Sequence, residues 1–159
     1  MKQEMNLNRR KALKTGGGLG LLGLLGAVGL LGPGLARAEW KKDAFEAKTL
    51  DEALAALGVI APENSAAIHL SVPEIAENGA VVPVTVASSL SRIEQISILV
   101  DKNPNLLAAH FVFPEGTQGF VTTRVKMGQT AMVIALVKAE GKFYRVSKEV
   151  KVTAGGCGG

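Results

Sequence analysis

The spacing of apolar and polar positions changes along this chain, and each change marks a different kind of element. An uncharged Gly/Leu run fills residues 15–35. Helical spacing follows: Leu50, Ala53, Leu54 and Leu57 share one face, Thr49-Leu50-Asp51-Glu52 has the form of a capping box, and Gly58 closes the segment. After Pro62 the period drops to two. Ile68, Leu70 and Val72 alternate with His69 and Ser71, and Val82, Val84 and Val86 alternate beyond Glu77-Asn78-Gly79, whose Asn-Gly pair is a strong turn signal. Further strand-like runs cover residues 93–101, 106–113, 120–127, 130–138 and 142–152, separated by Asn103-Pro104-Asn105, Met127-Gly128-Gln129 and Glu140-Gly141. Seven short strands with no helices between them predict a mainly β protein, an immunoglobulin-like antiparallel β-sandwich with a short N-terminal helical segment. The disulfide of true immunoglobulin domains is absent, because there is a single cysteine.

Two strands break the simple pattern. In Ala131-Met132-Val133-Ile134-Ala135-Leu136-Val137 both alternating faces are apolar, as in a strand buried on each side. One face of a two-layer sandwich normally meets water, so Met132, Ile134 and Leu136, or their opposites, are expected to lie under either a partner protein or the Leu50 helix. Pro83 lacks an N–H and predicts that its Val-rich strand is an edge or is bulged.

Charge is distributed unevenly. The 18 Lys and Arg outnumber the 14 Asp and Glu, but Lys2, Arg9, Arg10, Lys11, Lys14 and Arg37 face only Glu4 in residues 1–38, so the remainder is close to neutral. This leaves no basic patch of the kind that binds nucleic acid. Asn8-Arg9-Arg10-Lys11-Ala12-Leu13-Lys14 resembles the twin-arginine export motif, with the Gly/Leu run behind it and a small-x-small box at Ala36-Arg37-Ala38. A retained membrane helix is the alternative, but Pro33, the many glycines and the Ala-x-Ala box favour cleavage after Ala38 and no stable anchor. Gly16 and Gly20 form a lone GxxxG, weak in so Gly-rich a run. The expected organisation is a signal peptide over residues 1–38, a sandwich domain with its helix over 39–152 and a tail over 153–159, the exported part spanning about 120 residues, enough for one core. The expected location is the periplasm.

Candidate chemistry concentrates in the tail. His69 and His110 are the only imidazoles, each isolated on an expected outward strand face with no metal-ligand spacing. No Ser/His/Asp set, nucleophile elbow or phosphate loop is present, so no catalytic residue, metal or cofactor is predicted. The sole cysteine, Cys157, lies among Gly155, Gly156, Gly158 and Gly159. Glycine resists ordering and adds no side-chain bulk, which predicts a slender, mobile tether. From Ala154 to Cys157 an extended chain carries the sulfur roughly 10 to 14 Å past the last strand. A single thiol in an oxidising compartment makes no internal disulfide, so it serves as an intermolecular link or a working group.

The twin-arginine leader, the segments Pro73-Glu74-Ile75-Ala76-Glu77-Asn78-Gly79-Ala80-Val81-Val82-Pro83-Val84 and Val100-Asp101-Lys102-Asn103-Pro104-Asn105, and above all Gly155-Gly156-Cys157-Gly158-Gly159 resemble SoxY. SoxY is the sulfur-carrier subunit of the periplasmic thiosulfate-oxidising system. The resemblance spans essentially the whole chain; Ala12, where Phe is often found, is its loosest point. It implies a carrier that is not itself an enzyme: Cys157 is conjugated to thiosulfate by a haem enzyme, a hydrolase then releases sulfate, and a molybdenum/haem sulfane dehydrogenase acts on the remaining sulfane. It also implies a heterodimer with SoxZ, a leaderless sandwich protein. A folded partner carried across the membrane would explain twin-arginine export of a chain with no cofactor motif.

Two other readings were weighed. A thiocarboxylate carrier working through Gly158-Gly159 needs ATP for adenylation, which an exported protein does not meet, and a long central helix that the strand series lacks. A structural sandwich clasped by an interchain Cys157 disulfide is the other, although an exposed thiol forms such a homodimer on oxidation in any case. Prenylation is excluded, since two residues follow Cys157 instead of three.

Overall fold

The computed structural model describes residues 41–153. Two helices, α1 (Lys42–Glu46) and α2 (Leu50–Ala56), precede nine strands: β1 (Glu63–Asn64), β2 (Ile68–Ser71), β3 (Ile75–Ala76), β4 (Val82–Ser88), β5 (Ile93–Val100), β6 (Leu107–Val112), β7 (Gly119–Val125), β8 (Ala131–Ala139) and β9 (Lys142–Val152). One sheet has the order β1-β9-β8-β5-β6, with β3 also on β9; the other is β2-β4-β7. The seven strands expected from alternation are β2 and β4 to β9. The two-residue β1 and β3 are additional, too short to show any period. Both run parallel to β9, at Glu63↔Tyr144 and Ile75↔Lys151, departing from the purely antiparallel expectation. The chain reaches them by crossing from one sheet to the other, through β2, and back.

Alternation translates directly into the core. Leu70 of β2, Val82, Val84 and Val86 of β4, and Val125 of β7 meet Ile96, Ile98 and Val100 of β5 and Val133, Ala135 and Val137 of β8 between the sheets. The doubly apolar strand β8 turns its other face to the helices. Leu136, with Leu99 of β5 and Leu107 of β6, packs under Ala44, Ala53 and Leu57, while Leu50, Leu54 and Ile134 line the margin of this second cluster. Of the two occupants expected for that face, the helix is the one found. The capping box that starts α2 is complete: Glu52 N–H donates to Thr49 Oγ1 at 3.2 Å, and Glu52 Oε2 accepts from Thr49 N–H, also at 3.2 Å.

One local expectation needs correction. β4 is the central strand of its sheet, flanked by β2 and β7. Pro83 is tolerated there because β2 reaches only as far as Thr85, so at Pro83 the strand has β7 alone beside it. Asn78-Gly79 forms the expected turn. Asn78 Oδ1 accepts from Ala80 N–H at 2.9 Å and starts a 3-10 turn over Gly79–Val81, and glycine is required because a Cβ on it would lie 2.3 Å from the Met127 carbonyl oxygen. The true two-residue hairpin is Glu140-Gly141, where φ values of 51° and 74° join Ala139 to Lys142.

Candidate functional site

Cys157 and the glycines Gly155, Gly156, Gly158 and Gly159 lie outside the described residues, as do Arg9, Arg10 and the expected cleavage point at Ala38. The described structure contains the root from which that segment continues, the last residues of β9. Antiparallel pairing with β8 ends at Ala131↔Val150. Beyond it the chain bends at residues 128–130, and Gln129, next in line to face Val152, donates its side-chain Nε2 to the Lys102 carbonyl at 3.3 Å. A side chain replaces the missing ladder partner: Val152 N–H donates to Thr130 Oγ1 at 3.0 Å.

The opposite edge of β9 is held at the same place. Lys151 N–H donates to the Glu74 carbonyl at 2.9 Å and Thr153 N–H to the Ala76 carbonyl at 3.3 Å. Three successive amides are thus tied alternately to β3 and to Thr130, each bond contributing about 1 kcal/mol net. Gly79 closes the root from below. Met127 N–H donates to its carbonyl at 2.7 Å, and the position its Cβ would take lies 3.0 Å from Val152 Cγ1. Asn103 secures the neighbouring loop, donating to the Lys126 carbonyl at 2.6 Å and accepting from Gly128 N–H at 3.4 Å. Asp101 Oδ1 accepts from Met132 N–H at 2.9 Å. The internal segments 73–84 and 100–105, singled out from the sequence, therefore converge on the end of β9. Thr130 and the β3 carbonyls had no signal of their own, since a lone Thr and a two-residue strand match no pattern.

The two histidines part company. His69 is exposed on β2. His110, expected on an outward surface, instead sits half-buried where α1 packs against β6. Its Nδ1 is 2.9 Å from the hydroxyl of Ser97, the cross-strand neighbour on β5, and its Nε2 is buried with no hydrogen-bond partner. Burial, and then the positive charge of Lys41, hold its pKa below the usual histidine value. Ser97 is 1% exposed, so the pair offers no surface to a substrate. Among the described residues no three His, Cys, Asp or Glu side chains converge to hold a metal ion, and no helix is long and apolar enough to cross a membrane.

A cavity of about 530 Å³ lined by Arg92, Glu94, Phe113, Glu115 and Glu140 opens beside the β8–β9 hairpin. It lies at the far end of β9 from Val152, some ~33 Å away for eleven strand residues. Its charges largely satisfy one another, with Arg92 3.2 Å from Glu140 and Glu94 2.7 Å from Lys138. Glu94 also accepts from Gly141 N–H at 2.7 Å.

Known proteins resemble this chain over most of these elements. The family profile of the sulfur oxidation protein SoxY matches residues 54–157, from the last residues of α2 through every strand to Cys157. Among solved structures, the sulfur carrier protein SoxY from Chlorobium limicola f thiosulfatophilum is 40% identical with a TM-score of 0.60, over 65% of this chain and 94% of that one. A superoxide reductase (neelaredoxin) from Ignicoccus hospitalis is 16% identical with a TM-score of 0.48, over 54% of this chain and 80% of that one, too remote to inform the site. No curated protein sequence matches the chain.

Proposed function

The chain belongs to the SoxY family of sulfur oxidation proteins, and on that premise we propose that it carries sulfur covalently on Cys157 during thiosulfate oxidation. The observation that supports this is the family match running past the secured end of β9 to the only thiol in the sequence. In the loading step the Cys157 thiol and thiosulfate lose one proton and two electrons, a sulfur–sulfur bond forms, and the product is a Cys-S-S-sulfonate. The two electrons would be taken up by a haem-containing conjugating enzyme, one at a time. A hydrolase then adds water across the sulfane–sulfonate bond, releasing sulfate and leaving a persulfide on Cys157 for a sulfane dehydrogenase. The thiolate is the nucleophilic form of such a thiol, and its activation falls to the enzymes that receive it. Covalent retention keeps reactive sulfur from diffusing away.

The same reading places the protein in the periplasm, exported through Arg9 and Arg10 with cleavage after Ala38, as a heterodimer with SoxZ. The test is Cys157→Ser. The variant should keep its circular dichroism spectrum and its partner, yet gain no mass when incubated with thiosulfate and the conjugating enzyme. A thiosulfate or sulfane adduct on the Ser variant would overturn the assignment.

A further inference from the structure

We propose that the contact between α1 and β6 is a proton-operated latch: when His110 takes up a proton, α1 lifts from the sheet while the sandwich beneath it stays folded. The latch goes beyond the carrier reading, and only its biological use rests on that reading. His110 and Ser97 are cross-strand neighbours, joined by a 2.9 Å hydrogen bond between Nδ1 and Oγ. Leu136 lies opposite Ser97 on the other side and packs under Ala44 of α1. His110 thus stands on the sheet face that the helices cover, with its Nε2 buried and unpaired.

A neutral ring can give its Nδ1 proton to Ser97 and leave only a lone pair at Nε2. A protonated ring also carries an N–H at Nε2, a charged donor that needs an acceptor. The surrounding elements supply none. β5 presents neutral Ser97 and β8 neutral Leu136. On α1, Lys41 adds a second positive charge, Asp43 is exposed, and Glu46 faces Lys42 at 3.7 Å with both side chains in solvent. On α2, Asp51 is exposed and Glu52 accepts from the Lys48 and Thr49 amides. Water is the remaining acceptor, and it reaches Nε2 once α1 lifts. This helix is the element able to yield, because it has five residues and buries only Ala44. In the open form the ring returns to its ordinary value of about 6.5, above that of the closed form. Opening therefore gains weight as pH falls below that value. On the carrier reading, loading releases a proton, so the latch answers to acid that the reaction itself makes.

The experiment is hydrogen exchange on the full chain without any sulfur substrate, each rate divided by the intrinsic rate at the same pH. The Ala44 and Phe45 amides, both bonded to the Lys41 carbonyl, report on α1. Their protection should fall below pH ~6.5 by up to about tenfold per pH unit, the limit for one proton. At every pH it should stay at least about tenfold below that of the β8 amides, the mark of an opening smaller than global unfolding. In His110→Gln, which cannot take up the proton, the fall with pH should vanish; if that variant does not fold, His110→Phe takes its place. Protection at α1 that is independent of pH, an equal fall in the His110 variant, or equal protection at α1 and β8 would overturn the proposal. Because no sulfur is present, the result is separate from the carrier reading, which the adducts at Cys157 decide.

Discussion

At the residue scale, small polar groups do more than the large apolar ones to define this molecule's particular features. Thr130 holds the end of β9 with one hydrogen bond, Asn103 ties the neighbouring loop with two, and Gly79 fits against Val152 by having no Cβ. Folding lowers the pKa of His110. Protonation would make both ring nitrogens donors, one of them buried with no acceptor, so the fold favours the neutral ring. The pKa is therefore lower in the folded than in the unfolded chain, and the unfolded chain binds the extra proton first as pH falls. Stability from this group is fully present above the unfolded value of about 6.5 and is lost as pH falls from there through the depressed folded value. Urea midpoints of wild type should decline below pH ~6.5 more steeply than those of His110→Gln. Equal slopes would mean that His110 titrates no differently in the folded state.

At the element scale, what could be read from the sequence was what repeats. Val82, Val84 and Val86 announced β4 because each faces the same core, and Thr49 with Glu52 announced the start of α2 because the cap is a local pair. The five-residue α1 and the two-residue β1 and β3 carried no period, and their places depend on distant partners such as Tyr144, Lys151 and Val152. Asn78-Gly79 was legible as a turn, but what its glycine answers to was not: the Met127 carbonyl lies 48 residues away in sequence. The double apolar face of β8 was legible, but its occupant was decided by packing. Because Leu136 is 2% exposed beneath the helices, Leu136→Ala should cost about 2–5 kcal/mol and Leu136→Asp more, through a buried unpaired charge. Denaturant melts of the isolated chain check this. A fully stable Leu136→Asp monomer would mean that the helices do not cover this face in solution.

At the scale of the whole molecule, two sheets and a helical cover hold the end of β9 in place. The lone cysteine among glycines is visible in the sequence; the apparatus that holds the end of β9 was not, being assembled from carbonyls and a hydroxyl distant in sequence. The central claim, that sulfur rides covalently on this chain, is tested most directly by the intact mass of the exported protein purified without reductant from cells oxidising thiosulfate. The account predicts species heavier than the free thiol by thiosulfate or sulfane units, every adduct mapping to Cys157 and returning to the unmodified mass on reduction. A protein carrying only free thiol or only an interchain Cys157 disulfide under those conditions would contradict it.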